Sequence, residues 1–218
     1  MIDYHTHILP EMDDGSKSVD ISAAMIMELK KQGISTIVLT PHFYVDNETV
    51  DEFLKRRETS FNLLMNSFDF SGIEFKLGCE VYLRKGISHI DNFQKLCIED
   101  TNYMLLELPY AKLSNSIIDE IENIRYNMMI FPIIAHVDRY FKFLSADDYN
   151  KLYAIEDCIF QLNNSYHKEL AARFKYKKLL KSFPMMVFGS DCHNMTTRTP
   201  NFDIVTDFSL LNRNIELF

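Results

Sequence analysis

Short apolar runs alternate with segments of helical period along the whole of this 218-residue chain. Seven of these runs have the length and the β-branched content of strands, and they cover residues 1–5, 35–40, 74–81, 103–108, 130–135, 158–162 and 185–189. A chain in which strands and helices alternate folds around a parallel sheet, which is either open and doubly wound or closed into a barrel. No linker, internal repeat or shift of composition interrupts the alternation, so we expect a single α/β domain over residues 1–218.

Helices are predicted between the strands. In the first of them Ile21, Ala24, Met25 and Leu29 share one face, and Gly33 follows as a stop signal. The second carries apolar residues spaced three and four apart, at Val50, Phe53, Leu54, Phe61, Leu64, Met65 and Phe68. Further helices are expected at residues 116–126, 146–154, 165–183 and 203–212.

Polar side chains stand at the carboxyl end of every predicted strand. Six of the seven ends carry residue types that bind metal ions, namely His5 and His7, His42, Glu80, Glu107, His136, and Asp191 with His193. Asp14 lies in the loop after the first strand, and the sixth strand ends at Asn163 and Asn164. An open sheet collects its site from two or three strands at one crevice, whereas a closed barrel collects it from every strand at one mouth. The pattern therefore favours a TIM-like barrel with its functional site at the C-terminal mouth.

The mixture of imidazole and carboxylate at these ends suits Mn, Fe or Zn at two or more sites. His5 and His7 alternate along one strand, so both rings lie on one face and can bind a single ion. A carboxylate such as Glu80 can bridge two ions about 3.5–4 Å apart, the separation typical of hydrolytic two-metal sites. Asp3 shares the strand face of His5 and is either a ligand or an acceptor that orients a histidine; we favour the second role.

The charge balance narrows the range of partners. Net charge is −8, from 31 acidic and 23 basic residues, and a surface of that sign repels nucleic-acid phosphates and anionic lipid. No apolar run reaches the ~18 residues of a membrane-spanning helix, and the N-terminus has no signal-peptide pattern. Four scattered cysteines form no disulfide framework. We therefore expect a cytoplasmic protein that neither binds nucleic acid nor inserts in a membrane.

Six sequence motifs follow the order of a known superfamily. They are IDYHTHILPEMDDG at the start, TPH at residues 40–42, GCEVYL around Glu80, LLELPY around Glu107, AHVDRY around His136 and GSDCHN around Asp191. On these motifs, which extend over residues 1–200, the chain resembles the polymerase-and-histidinol-phosphatase (PHP) superfamily. It is most similar to the bacterial manganese-dependent protein-tyrosine phosphatases of capsule and exopolysaccharide operons. The resemblance implies a single-domain distorted (β/α)7 barrel that holds three divalent metal ions, with Mn²⁺ expected and Fe or Zn as alternatives.

Carried over position by position, the resemblance implies a role for each candidate residue. It assigns a first ion to His5, His7, Glu80 and Asp191, a second to Glu80, Glu107 and His136, and a third to Asp14, His42 and His193. Arg139 and Arg198 match the two arginines of the family that contact the phosphate. Two positions depart from the family pattern, because Glu11 stands where glycine is common and Asp138 where glutamate is common. Neither of them is an implied ligand.

The implied activity is hydrolysis of phosphomonoesters by metal-activated hydroxide, with phosphotyrosine on a bacterial tyrosine kinase as the expected substrate. That kinase would regulate capsular or exopolysaccharide synthesis. Either His42 or Asp138 is expected to help protonate the phenolate leaving group, and no covalent phosphoenzyme is required. The sequence does not fix the oligomeric state, and a homo-oligomer is compatible with it.

Three other functions are weighed against this one. A histidinol-phosphate phosphatase of the same superfamily is the main alternative. A cysteine-dependent tyrosine phosphatase needs an arginine six positions after its cysteine, and Cys192 with Arg198 has that spacing. The intervening residues lack the glycines that form a phosphate loop. In the metal interpretation Cys192 lies between Asp191 and His193 and its side chain points away from theirs, so we expect it to be buried or semi-buried, without a lowered pKa. A non-enzymatic metal-binding scaffold would hydrolyse no aryl phosphate.

Overall fold

Strands and helices alternate in the computed structural model, which describes residues 1–164, 185–202 and 217–218. The strands of this described part are β1 (Ile2–Thr6), β2 (Thr36–Leu39), β3 (His42–Phe43), β4 (Glu74–Leu77), β5 (Glu80–Tyr82), β6 (Tyr103–Glu107), β7 (Phe131–Ile134), β8 (Ile159–Asn163) and β9 (Met186–Gly189). Its α-helices are α1 (Val19–Lys31), α2 (Val50–Ser67), α3 (Asn115–Glu122) and α4 (Ala146–Tyr153). The helices predicted at 165–183 and 203–212 lie outside the described residues.

The described strands pair in parallel and form two sheets. One sheet has the order β1-β2-β4, and the other has the order β3-β5-β6-β7-β8-β9. The second predicted strand continues past Pro41 as the separate strand β3, and the third is divided at Gly78 into β4 and β5. Pro41 has no N–H to donate to a ladder, which accounts for the first break.

Backbone hydrogen bonds join β1 to the segment that follows β9. The N–H of Asp191 donates to the carbonyl of His5 (2.8 Å), and the N–H of His7 donates to the carbonyl of Cys192 (3.0 Å). Gly189 permits this approach, because a Cβ there would lie 2.6 Å from the Cβ of His5. The assigned strands leave two sheets rather than one closed ring. A parallel α/β architecture is therefore established, and the seven-stranded barrel stays a prediction.

The helix ends follow the expected signals. The side chain of Ser18 caps α1 by accepting a hydrogen bond from the first turn (3.3 Å), and Gly33, with a φ of 87°, follows the helix as a stop. The buried face of α1 contains Ala23, whereas Ala24 is exposed, so that part of the prediction was wrong by one position. Ala23 lies three residues before the buried Ile26 and shares its face.

The third helix is shorter than predicted. Helical period extends to residue 126 in the sequence, but α3 ends at Glu122 and a π-helical turn follows over Asn123–Asn127. None of the described helices combines the length and the apolar character needed to cross a bilayer.

Apolar side chains form two buried clusters. The larger one contains side chains from the strands and from the helices. The smaller one contains side chains from strands of both sheets, among them Tyr4 on β1, Val38 on β2, Leu105 on β6, Ile133 on β7 and Val187 on β9. Because strands of both sheets share this cluster, their carboxyl ends are held together at one end of the domain.

Candidate functional site

The nine side chains predicted as metal ligands converge at the carboxyl ends of the strands. They are His5, His7, Asp14, His42, Glu80, Glu107, His136, Asp191 and His193. Each of the nine side chains has an imidazole nitrogen or a carboxylate oxygen within 4.0 Å of an atom of the other kind in another member. Seven of them are buried, whereas Asp14 is exposed and His42 is partly exposed. The structure thus brings the whole predicted set into one cluster.

Glu80 lies at the centre of this cluster, with four imidazoles around its carboxylate. Its Oε2 is 3.2 Å from Nε2 of both His5 and His7. The same oxygen is 3.0 Å from Nδ1 of His42, and Oε1 is 2.8 Å from Nε2 of His136. Burial alone would raise the pKa of Glu80, but the imidazoles of His5 and His136 hold that pKa well below its ordinary value. Glu80 is therefore an anion in contact with several potential metal ligands, which is the arrangement a bridging carboxylate needs.

A second group of ligand atoms lies on the solvent side of the cluster. Asp14 Oδ1 is 3.3 Å from Nε2 of His193 and 3.5 Å from Nε2 of His42. The ring of His7 lies near the rings of both histidines, with its centroid 3.9 Å from that of His193 and 4.5 Å from that of His42. One ligand atom from each of these four residues lies within 4.8 Å of the others, a spacing at which all four can reach one ion.

The third group surrounds Glu107 at the end of β6. Its Oε1 is 3.6 Å from Nε2 of His136, and its Oε2 is 4.0 Å from Nδ1 of His42. Ligand atoms of His42, Glu80 and Glu107 lie within 4.8 Å of one another. Burial, followed by the charge of Glu80, raises the pKa of Glu107 to about 7. His42 thus faces two of the three implied ion positions, one with each ring nitrogen.

Asp191 connects the cluster to both predicted phosphate-binding arginines. Its Oδ1 is 3.7 Å from Nε2 of His5 and 3.5 Å from Nε2 of His7. Nη2 of Arg139 donates to Oδ2 of Asp191, and Nη2 of Arg198 donates to Oδ1. Both guanidinium groups remain partly exposed, so they lie where a phosphoryl group entering from solvent would meet them.

Two of the implied ligands have a strained backbone. His136 has a φ of 28° and Asp191 a φ of 52°, a region that residues with a Cβ rarely adopt. Such conformations persist only where the surrounding structure enforces them, and they cluster at active sites. Here each of them turns the chain two residues after its strand ends, His136 after β7 and Asp191 after β9.

Asp13 orients His7, a role that the sequence did not reveal. Its Oδ2 is 2.7 Å from Nδ1 of His7 and also accepts a hydrogen bond from the backbone N–H of His42 (2.9 Å). Burial opposes protonation of His7, but the charge of Asp13 raises the pKa of that imidazole to about 9. A carboxylate on Nδ1 leaves Nε2 directed at Glu80, as a metal-ligating histidine requires. The consecutive acids of the DDG motif were the available signal.

Gln161 is a second positioning residue that the sequence analysis missed. Its Oε1 lies 2.9 Å from Nδ1 of His5 and accepts a hydrogen bond from the backbone N–H of His136 (2.6 Å). Its Nε2 donates to Oδ1 of Asn163 (2.9 Å), and Nδ2 of Asn163 donates to Asp191 (2.9 Å). The signal was a glutamine inside an otherwise apolar strand, because buried polar groups are hydrogen-bonded with few exceptions.

Asp3 contacts the backbone rather than an imidazole ring. Its Oδ1 accepts hydrogen bonds from the N–H groups of His5 (3.2 Å) and Ser190 (2.9 Å). Burial raises the pKa of Asp3 to about 7. The carboxyl group therefore fixes β1 against the end of β9, and its contribution to a histidine is through the backbone.

Three buried ligand atoms of the cluster make no hydrogen bond, namely Oε2 of Glu80, Nδ1 of His42 and Nε2 of His193. Each of them lies 3.0–3.3 Å from another ligand atom of the cluster. A buried polar atom without a hydrogen bond costs about 1–3 kcal/mol, and a cation bound among these atoms would remove that cost. Imidazole nitrogen and carboxylate oxygen are ligands of Mn, Fe and Zn, and the residues present fit such ions.

Cys192 is buried between the site residues Asp191 and His193. Its side chain is fully enclosed, and burial raises the pKa of its thiol well above the ordinary value. The expectation of a buried cysteine without a lowered pKa is confirmed. A thiolate nucleophile needs the opposite, namely access and a lowered pKa.

Comparisons with known proteins place the chain among bacterial capsule proteins. Residues 1–212 match the family described as capsular polysaccharide synthesis, CpsB/CapC. The tyrosine-protein phosphatase CpsB of Streptococcus pneumoniae is 29% identical over 216 residues, which cover 92% of this chain and 86% of that protein. The tyrosine-protein phosphatase YwqE of Bacillus subtilis (strain 168) is 30% identical over 154 residues, which cover 64% of this chain and 55% of that protein.

A solved structure has the same fold. It comes from a study of YwqE from Bacillus subtilis and CpsB from Streptococcus pneumoniae, described there as unique metal-dependent tyrosine phosphatases. The match has a TM-score of 0.73 at 23% identity and covers 97% of this chain and 86% of that chain. At this identity the likeness establishes the parallel α/β fold.

Proposed function

Since this chain belongs to the CpsB/CapC family of capsular polysaccharide synthesis, we propose that it is a metal-dependent phosphatase that hydrolyses phosphotyrosine in proteins. The observation that carries the proposal is the ring of four imidazoles around the buried carboxylate of Glu80. A buried anion with several unsatisfied ligand atoms beside it is suited to holding cations. The family match and the names of the relatives support the substrate class.

We assign three divalent ions to the cluster, with Mn²⁺ as the expected metal. His5, His7, Glu80 and Asp191 would hold one, Glu80, Glu107 and His136 a second, and Asp14, His42 and His193 a third. When bound, such ions supply a water of lowered pKa and positive charge beside the phosphoryl oxygens. The protein contributes the orientation, since Asp13 and Gln161 fix the rings of His7 and His5.

Arg139 and Arg198 are proposed to bind the phosphoryl group. Both donate to Asp191, and Nε of Arg198 is buried without a hydrogen-bond partner. A guanidinium group presents several donors in one plane and matches the oxygens of a phosphate. The two arginines would therefore hold the substrate next to the ligand cluster and stabilise the charge of the transition state.

Of the two proton donors that the sequence leaves open, we favour Asp138. Both ring nitrogens of His42 face carboxylates, with Nδ1 3.0 Å from Glu80 and Nε2 3.5 Å from Asp14. Asp138 accepts a hydrogen bond from the N–H of Asn163 (3.0 Å), and burial raises its pKa to about 6. A carboxyl group with that pKa exchanges a proton near neutral pH, as a general acid must.

We also propose that the strands close into a distorted (β/α)7 barrel. The hydrogen bonds between β1 and the segment after β9, together with the apolar cluster shared by both sheets, support this arrangement.

For the biological context we propose a cytoplasmic location and a tyrosine kinase of capsular or exopolysaccharide synthesis as the substrate protein. The four cysteines, each a free thiol, are in keeping with that compartment.

The proposal is tested with a substrate panel. A phosphotyrosine peptide, histidinol phosphate and an aryl phosphate are each offered to the purified protein, with and without Mn²⁺. We expect hydrolysis of the peptide and the aryl phosphate, only when metal is present, and a clearly lower kcat/KM for histidinol phosphate. Preference for histidinol phosphate would move the assignment to that activity. Loss of all three reactions in metal-loaded protein would leave a metal-binding scaffold.

A further inference from the structure

Two large aromatic side chains are exposed beside the candidate site. Tyr110 follows β6 and Phe143 follows the turn that contains Arg139, and each is 43% exposed. Their rings meet edge to face, with centroids 5.8 Å apart at 66°. Exposed apolar groups that adjoin one another mark binding surfaces more often than isolated ones do.

The buried side chain of Tyr140 packs against Tyr110 and fixes its position. Tyr140 is fully enclosed, its ring centroid lies 5.5 Å from that of Tyr110, and its hydroxyl accepts a hydrogen bond from the N–H of Leu108 (2.8 Å). Tyr110 also lies nearly parallel to the ring of His136, at 16° and 6.1 Å between centroids. This support makes the exposed face of Tyr110 a preformed surface rather than a mobile side chain.

The aromatic pair adjoins the proposed phosphate-binding group. Nη1 of Arg139 donates to the hydroxyl of Tyr110 (3.4 Å). In phosphotyrosine a single oxygen separates the phosphorus from the phenyl ring. A substrate whose phosphoryl group is held by Arg139 must therefore place its ring close to that arginine, and Tyr110 and Phe143 are the aromatic surface that the structure offers there.

We propose that Tyr110 and Phe143 form the wall that receives the phenyl ring of the substrate, and that this wall selects aryl over alkyl phosphates. The inference rests on the proposed phosphatase function and names what determines its substrate class. Ring-on-ring contact of this kind is worth several-fold in affinity beyond the buried area. A compact alkyl phosphate would reach the arginines without touching the wall.

A second aromatic pair provides the competing location. Tyr44 is 36% exposed and lies 5.2 Å from the ring of His42 and 5.8 Å from that of Tyr82, between centroids. None of the described contacts joins this pair to Arg139 or Arg198. We therefore assign the substrate ring to the side of Tyr110, and Tyr44→Ala becomes an arm of the test.

The test compares two inhibitors that cannot be hydrolysed, benzylphosphonate and methylphosphonate, in the Mn²⁺-loaded protein. Their ratio of inhibition constants isolates the contribution of the ring, because the charged group is shared. We expect the wild-type protein to prefer benzylphosphonate, and Tyr110→Ala to reduce the preference about three- to tenfold with little change for methylphosphonate. Phe143→Ala should act in the same direction. Tyr110→Phe should keep the preference because the ring remains.

Phe68→Ala is the matched control, since Phe68 is 41% exposed at the end of α2 and contacts Phe70 instead of the site. An unchanged ratio in both Tyr110→Ala and Phe143→Ala, or a loss confined to Tyr44→Ala, would overturn the inference. If Tyr110→Ala also weakens inhibition by methylphosphonate, the ratio of inhibition constants measured for Phe143→Ala alone decides the test. Failure of the phosphatase assignment is distinct, because the wild-type protein would then hydrolyse no phosphotyrosine peptide.

Discussion

Glu11 takes a left-handed backbone conformation, with a φ of 58°, at a position where the resemblance of the sequence leads us to expect glycine. Its backbone N–H donates to the carbonyl of Ser16 (2.9 Å), so the turn is held in place while the side chain is exposed. A residue with a Cβ is strained in this conformation because the Cβ approaches the next carbonyl oxygen. The departure from the motif is therefore a local loss of stability at the loop that carries Asp14.

Replacement of Glu11 by glycine should stabilise the protein. The strain removed, less the extra freedom of glycine in the unfolded chain, leaves a gain of about 0.5–1 kcal/mol in the free energy of unfolding. Thermal unfolding of metal-stripped protein should shift upward by roughly 1–4 °C. Glu11→Ala is the control, because it keeps the strained φ and removes only the side chain. A melting temperature no higher than that of wild type would refute the argument.

Cys192 and its two neighbours separate the metal mechanism from a thiolate mechanism. Cys192→Ser should retain activity on an aryl phosphate within about tenfold, since a buried thiol of raised pKa has no chemical role. Asp191→Ala and His193→Ala should each lose nearly all activity together with bound metal. Iodoacetamide should leave the folded wild-type protein active. An inactive but metal-replete Cys192→Ser protein would contradict the proposed chemistry.

The side chains that form the cluster could be predicted from the sequence, but Gln161 and Asp13, which orient its histidines, could not. Histidines and acids at strand ends stand out because each strand of a parallel fold directs its carboxyl end to the same place. The role of Gln161 depends on a hydrogen bond to His5 from a strand more than 150 residues away, and no local pattern encodes that contact. Asp13 was visible in the DDG motif, yet only the 2.7 Å contact distinguishes it from Asp14.

At the scale of elements, the approach of β9 to β1 decides whether the ligands meet. Gly189 ends β9, and a Cβ there would lie 2.6 Å from Cβ of His5 and 2.7 Å from Nε2 of Gln161. Contacts that short do not occur, so any side chain must separate the strands or displace Gln161. Either change moves His5 on β1 away from Asp191 after β9, and the contact between these two segments is what holds their candidate ligand atoms close together.

Gly189→Ala should therefore weaken metal binding as well as stability. We expect a loss of about 1–3 kcal/mol in the free energy of unfolding from overpacking, and Mn²⁺ affinity lower by roughly 10- to 100-fold. Denaturant unfolding and a calorimetric Mn²⁺ titration measure the two quantities. Gly86→Ala is the matched control: its φ of 82° brings backbone strain, but no atom lies within 4 Å of its Cβ position. Wild-type Mn²⁺ affinity in Gly189→Ala would show that the close approach is not needed.

The strands could be predicted closely because buried parallel strands are short, apolar runs. Their division into two sheets could not be predicted, because it depends on how Pro41 and Gly78 are accommodated between neighbouring strands. The π-helical turn after α3 was equally hidden, since its residues continue the helical period of the sequence. Sequence pattern thus gives the positions of the elements, and packing gives their interruptions.

At the scale of the whole molecule, the proposed ligands come from positions 5 to 193 and meet only in the folded chain. The proposed metal binding would therefore be linked to folding by mass action. With Mn²⁺ at about 100 times its Kd, one occupied site adds ~2.7 kcal/mol, which corresponds to a rise of roughly 5–10 °C in Tm. Differential scanning calorimetry with Mn²⁺ and after chelation measures the shift. Asp191→Ala should show a smaller rise, and a wild-type Tm indifferent to Mn²⁺ would contradict the linkage.

The central claim is that buried histidines and acids hold metal ions that the phosphotyrosine reaction requires. Its most direct test is the rate of phosphotyrosine-peptide hydrolysis by chelator-stripped protein as Mn²⁺ is returned, with bound metal counted by elemental analysis. We predict no turnover in the stripped protein and a rate that rises with bound Mn²⁺ to the level of the untreated protein. Undiminished turnover in protein shown to contain no metal would contradict the account.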